Sequence, residues 1–197
     1  MIEFAAPSAH LRPLDVNSVY GLMNIGATAV VSAESKGVVD AMACAWNCAL
    51  DLNPTKVTVV LSKSHFTRRL LEESGLFALS LGAVGNVAAL QQLGSVSMNR
   101  DAEKLEKCPG RFFRMPGWEM PLLEGAPAYL VCRRIPEPHV EGAYDLFIGE
   151  AVAAWGDDRV VSPSGDWQFE KASAELRTIH AAAHGRFYAA GEVIEVR

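Results

Sequence analysis

The sequence predicts a mainly β chain with short helices, arranged as an antiparallel barrel carrying helical decoration. Six or so apolar, β-branched runs of strand length are bounded by Gly, Pro, Asn or Asp. The helical stretches between them are short, and they do not alternate with strands as a doubly wound parallel sheet requires. Neither G-x-G-x-x-G nor G-x-x-x-x-G-K-[ST] occurs, so the common dinucleotide and triphosphate loops are absent too.

Each element has a local reason. Asp15 caps a short helix over residues 16–23, which Gly26 ends. Residues 27–33 form a strand, and the polar turn Glu34-Ser35-Lys36-Gly37 returns the chain through a hairpin partner at 38–45. A loop around Asp51-Leu52-Asn53-Pro54 precedes a strand at 56–61. Ser62-Lys63-Ser64-His65-Phe66 then leads into a helix at 67–74 closed by Gly75. Residues 76–81 are a strand and 87–93 a second short helix. Residues 74–99 carry no charge, but glycines and amides interrupt them, which reads as a buried strand and helix rather than a membrane span.

Residues 101–107 read as a charged helical turn on the surface. Residues 111–125, rich in Pro, Gly and aromatics, read as a loop able to fold over a ligand. Strands follow at 128–134 and 144–155. In the second, Leu146, Ile148, Val152 and Ala154 share one face, with Asp145, Phe147 and Ala151 on the other. Val160-Val161 extends it past a turn at Gly156-Asp157-Asp158, and the tail from 167 is irregular with a short helix near 174–182.

A length of 197 residues suits a single domain spanning 1–197 with a proper core. The net charge of −5, with no basic run, argues against nucleic-acid and anionic-membrane partners. Residues 1–12 show no secretory pattern, which sets the expectation of a cytoplasmic chain whose four cysteines are reduced.

Three clusters carry chemistry. Ser62, Ser64, Thr67 and Arg68 sit where a strand turns into a helix, so hydroxyls, unpaired N–H groups and positive charge converge on one anion. Ser and Thr at a helix start also serve as plain caps. Ala43, Cys44, Ala45, Trp46 and Asn47 form a run of small residues ended by an aromatic and an amide, which lets a flat ring lie against the backbone. Tight barrel packing explains the same run. Near the C-terminus, His180 and His184 precede Arg186 and Tyr188. Two histidines without a third ligand make no metal site, and aromatic packing over a ligand suits them better. No nucleophile elbow, H-E-x-x-H or paired carboxylates occur, so no side chain is assigned as catalytic.

In this order the clusters resemble the flavin reductase-like family, which includes flavoredoxins and reductase components of two-component monooxygenases. The resemblance also runs through Pro121-Leu122-Leu123-Glu124-Gly125-Ala126-Pro127, through residues 144–152, and through Gly185-Arg186-Phe187-Tyr188. It implies an antiparallel split β-barrel of the FMN-binding type. Ala43, Cys44, Ala45, Trp46 and Asn47 would then lie along the isoalloxazine ring, and Ser62, Ser64, Thr67 and Arg68 would hold the phosphate. His180, Arg186 and Tyr188 would reach the cofactor from the tail across a homodimer interface. Two departures lie beside that site: Asp40 stands where the family's turn often has Asn, and Asp51-Leu52-Asn53-Pro54 replaces Asp-Pro-Pro.

The activity implied is hydride transfer from NAD(P)H to flavin, with reduced flavin supplied to a partner monooxygenase or redox protein. The alternative is a flavoredoxin-like carrier with tightly bound FMN and little direct NAD(P)H oxidation. A non-redox barrel for another planar or phosphorylated ligand is a third reading. Cys44 is of interest as a thiol beside a flavin.

Overall fold

The structure, a computed structural model, describes residues 3–17, 19, 22–23, 26–182 and 185–194. In chain order it contains β1 (Phe4–Ala5), β2 (Leu11–Pro13), β3 (Ala29–Ser35), β4 (Val38–Cys44), β5 (Asn47–Leu52) and β6 (Thr55–Val60). Next come α1 (Phe66–Ser74), β7 (Leu76–Leu81), α2 (Val87–Ser95), β8 (Phe112–Phe113), β9 (Leu122–Leu123) and β10 (Ala128–Ile135). The chain closes with α3 (Pro138–Tyr144), β11 (Leu146–Asp157), β12 (Ile179–Ala181) and β13 (Phe187–Ala189). The class is therefore mainly β with short helices.

The main sheet runs β4-β3-β7-β10-β11-β6-β5, antiparallel throughout, and β2 also pairs with β11. Its two end strands, β4 and β5, are consecutive in sequence and joined only by Ala45 and Trp46. Laid flat, ends six strand spacings apart would be roughly 29 Å from each other. Two linking residues reach only about 10 Å. The sheet must therefore curl until its ends meet at that corner. The Val60 N–H donates to Trp46 O there at 3.0 Å, and the Asn47 carboxamide donates to Ala27 O at 3.1 Å. Among the described residues no ladder joins β4 to β5, so the curl does not close into a complete hydrogen-bonded barrel.

Alternation along the strands fills the curl. Ala29, Val31 and Ala33 of β3, Val57 and Val59 of β6, and Phe77, Leu79 and Leu81 of β7 share one buried cluster. Ala128, Leu130 and Cys132 of β10 join them with Phe147, Ala151 and Ala154 of β11. Phe77 lies directly on Gly149, where a Cβ would fall 2.4 Å from its ring. A second cluster packs α2 against Val30 and Ala41, and a third packs β8, β9 and their loop against Tyr129 and Val131.

Several expectations change. Residues 51–54 are not a free loop, because β5 runs to Leu52 and only the following residues turn into β6. The faces of β11 are not those the alternation predicts. Val131 pairs with Ala153 and Cys132 with Ala151, so Val152 is an extra residue that shifts the register. Ala154 thereby joins Phe147 and Ala151 on the buried side. Residues 101–107 do form turns, but Lys104 and Leu105 are buried. The loop at 111–125 contributes β8 and β9, which pair with each other. Residues 174–182 are no helix: a short 3-10 turn leads into β12, which pairs with β13. Val160 and Val161 extend no strand, and Val161 makes an isolated bridge to Trp167. Residues 18, 20 and 21 of the helix expected at 16–23 fall outside the described residues. Among the described residues no helix is long and apolar enough to cross a membrane.

Candidate functional site

A cleft of about 480 Å³ opens along the free edge of β4, between the N-terminus of α1, the C-terminus of α2 and residues 96–104. An end strand leaves one row of backbone N–H and C=O groups without a strand partner, and α1 offers the unpaired N–H groups of its first turn. Its helical dipole adds partial positive charge at the same place. Gly75 ends α1 in the left-handed conformation at φ 72°, and its N–H caps Leu71 O at 2.9 Å.

The cleft gathers some of the expected residues. Ala43, Ser64 and Thr67 line it, together with Asp40, His65, Asn99, Arg100 and Lys104. Ser62 stands behind Ser64, their hydroxyl oxygens 3.1 Å apart. Asn99 ties residues 96–104 to this turn, its carboxamide donating to Ser64 O at 2.8 Å. The His65 imidazole is pushed below its usual range by burial and then by the positive charge of Lys104. Its Nδ1 is buried without a hydrogen-bond partner among the described residues.

Arg68 is not brought to the cleft. Its guanidinium donates to Leu61 O, Glu141 O, Glu72 and Asp145, tying α1 to the strand before it and to α3. The unpaired cation lining the cleft is Arg100, whose side chain makes no ion pair or hydrogen bond among the described residues. Sequence reasoning passed over it, although it is the first charge after the uncharged run at 74–99.

The second cluster divides at the corner of the sheet. Ala43 faces the cleft, but Cys44 is buried in the curl, its sulfhydryl donating to Trp46 O at 3.3 Å. Burial pushes that thiol up to about 11. Ala45 is exposed, Trp46 is 73% exposed, and the Asn47 carboxamide is engaged by Cys44 O and Ala27 O. A thiol held so far from ionisation is a poor nucleophile. Iodoacetamide at pH 8 is therefore expected to label exposed Cys48 and to spare Cys44 and Cys132 in the native state, as read by peptide mass spectrometry. Rapid labelling of native Cys44 would show that it is accessible as a redox group.

The tail residues stay outside the cleft wall. His180 on β12 has its Nδ1 3.1 Å from Gly26 O, and the Arg186 guanidinium lies 3.5 Å from the Tyr188 hydroxyl. His184 falls outside the described residues, and no metal-binding cluster occurs among those described.

The flavin reductase like domain model matches residues 24–171. The chain is 31% identical over 183 residues to the uncharacterized protein YddH of Escherichia coli K12, covering 91% of this chain and 95% of that one. It is also similar to the crystal structure of an FMN-binding domain of a flavin reductases-like enzyme from Shewanella baltica. That likeness has 41% identity and a TM-score of 0.92, over 95% of this chain and 97% of that chain. An FMN-binding protein from Thermus thermophilus shares the fold at 23% identity and a TM-score of 0.72, over 100% of this chain and 98% of that one.

Proposed function

Since the chain belongs to the flavin reductase-like family, we propose that it holds FMN in the cleft beside β4 and acts as an NAD(P)H-dependent flavin reductase. The observation that carries this reading is the donor set of the cleft. Helix N–H groups, the Ser64 hydroxyl, the Asn99 carboxamide and the unpaired Arg100 guanidinium stand around one volume. That volume lies in the range of small-ligand pockets. The set fits a flavin phosphate, and the edge backbone of β4 beside small Ala43 fits the polar rim of a flat ring.

Bound FMN would supply the redox chemistry, accepting hydride from a reduced nicotinamide. The chain's own work is positioning. Arg100 and the start of α1 hold the anionic end, with Ser64 and Ser62 supplying hydroxyls. Ala43 leaves room against the strand, and β4's outward groups set the ring's orientation. His65 lines the wall beside them. Hydride transfer between a nicotinamide and a flavin requires no side-chain nucleophile or base.

In finer architecture, we read the curled open sheet as the FMN-binding split barrel. The exposed apolar face of β5, with Leu50 and Leu52 beyond Trp46, supports a homodimer. A monooxygenase or redox protein would receive the electrons, and a cytoplasmic setting suits that exchange.

The purified protein's visible spectrum, recorded anaerobically before and after NADH or NADPH, tests the reading. Bleaching of bound or added FMN is the expected result. A protein that stays colourless and does not bind added FMN would refute the assignment. Bound FMN that neither nicotinamide bleaches would establish the flavoredoxin-like carrier instead.

A further inference from the structure

In the cleft wall, two groups able to hold an anionic ligand already hold an anion from the chain itself. Asp40 and Lys104 are each 1% exposed. Lys104 Nζ donates to Asp40 Oδ1 at 2.9 Å, and Thr67 Oγ1 donates to Asp40 Oδ2 at 2.6 Å. All three residues line the same cleft as Ser64 and Arg100. Both carboxylate oxygens thus take a donor, and the Thr67 hydroxyl proton is no longer free for a ligand.

We propose that Asp40 is a built-in competitor for the phosphate of FMN, lowering phosphate-dependent affinity so that flavin exchanges as a substrate rather than staying as a fixed group. This rests on the FMN reading above. A carboxylate and a phosphate monoester accept from the same kinds of donor, so an internal carboxylate on Lys104 and Thr67 withholds both from the ligand. It also repels an incoming dianion across a poorly solvated wall, where charges act more strongly than in water. With Asp40 present, Lys104 is paired within the chain, and Arg100 alone is left as an unpaired cation facing the cleft among the described residues. The pair has a structural role as well. It fastens residues 101–107 to β4, and Lys104 O accepts from the Gln92 carboxamide of α2 at 3.0 Å. An unpaired buried lysine is costly, so the fold needs some acceptor at this position. An asparagine would keep the size and one acceptor oxygen while removing the competing charge.

The test titrates FMN and riboflavin into the apo forms of wild type, Asp40→Asn and the double variant Asp40→Asn/Lys104→Met. Flavin fluorescence gives the affinities, and circular dichroism checks the fold. In Asp40→Asn, FMN is expected to tighten by about tenfold or more relative to riboflavin, because Lys104 and Thr67 become available to the phosphate. In the double variant competitor and cation are both gone, and the FMN-to-riboflavin ratio is expected within about threefold of wild type. A folded Asp40→Asn protein whose ratio is unchanged or lowered overturns the proposal. Where Asp40→Asn does not fold, the double variant decides. A selective loss of FMN there would mean that Lys104 serves the ligand despite Asp40, and the proposal falls. Wild type that binds neither flavin would instead remove the FMN reading itself.

Discussion

Replacing Arg68 by methionine is expected to lower stability by about 3–5 kcal/mol while leaving the FMN-to-riboflavin affinity ratio as it was. The side chain is 8% exposed. It donates to Leu61 O at 3.0 Å, Glu141 O at 3.1 Å, Glu72 Oε1 at 2.9 Å and Asp145 Oδ1 at 2.5 Å. Its guanidinium also lies 4.9 Å from the centre of the Phe147 ring. Methionine fills much of the volume but leaves two buried carbonyls without that donor and Asp145 without its cation. The cost comes from those abandoned groups more than from the lost pair. For a chain of this size it corresponds to a melting temperature lower by roughly 6–20 °C. A thermal melt measures it. A variant that melts normally yet loses FMN selectively would return Arg68 to the ligand site.

The second large effect is expected at Arg100. Its replacement by alanine should weaken FMN by roughly 10- to 150-fold, the value of a charge-assisted hydrogen bond of about 1.5–3 kcal/mol. Riboflavin, which lacks the phosphate, should change by less than about threefold. Stability should move little, because the side chain has no partner to abandon among the described residues. The two variants thus separate the two expected roles, Arg68 in the fold and Arg100 at the ligand. Equal losses of FMN and riboflavin in Arg100→Ala would show that the phosphate lies elsewhere.

The contrast between these residues shows what could be read before the structure. Both lie in segments with a helix-start or loop character, and position in sequence favoured Arg68. The sequence does not show that Asp145, 77 residues on, and Glu141 come back to take its guanidinium. Lys104 is a similar case. A segment of alternating charges reads as solvated, and only Asp40, 64 residues earlier, makes burial of its ammonium affordable. Cys44 and Ala43 differ by one residue, but the strand sends them to opposite sides, one into the curl and one to the cleft.

The elements themselves were largely legible where local chemistry decides. Strands β3, β6, β7 and β10 are β-branched or apolar runs between turn residues. The β3–β4 turn at Lys36 and Gly37, with φ of 52° and 82°, is the kind of two-residue hairpin that glycine permits. The tail was not legible, because the β12–β13 hairpin is also held by partners far away in sequence. Thr28 N donates to Ile179 O at 2.8 Å, and Ile179 N donates to Gly82 O at 3.2 Å. The face of β11 was misread for a different reason, since a single extra residue at Val152 reverses the alternation and leaves no trace in composition.

By itself, then, the sequence determined a mainly β chain with short helices, a hydroxyl-rich strand-to-helix turn at 62–68 and a small-residue strand before it. These follow from side-chain shape, turn chemistry and period, which act over a few residues. The tertiary structure alone decided that β4 and β5 close on each other at Ala45 and Trp46, that Asp40 captures Lys104 and Thr67, and that Arg100 rather than Arg68 faces the cleft. Those outcomes depend on which distant donors and acceptors the curl of the sheet brings within bonding distance.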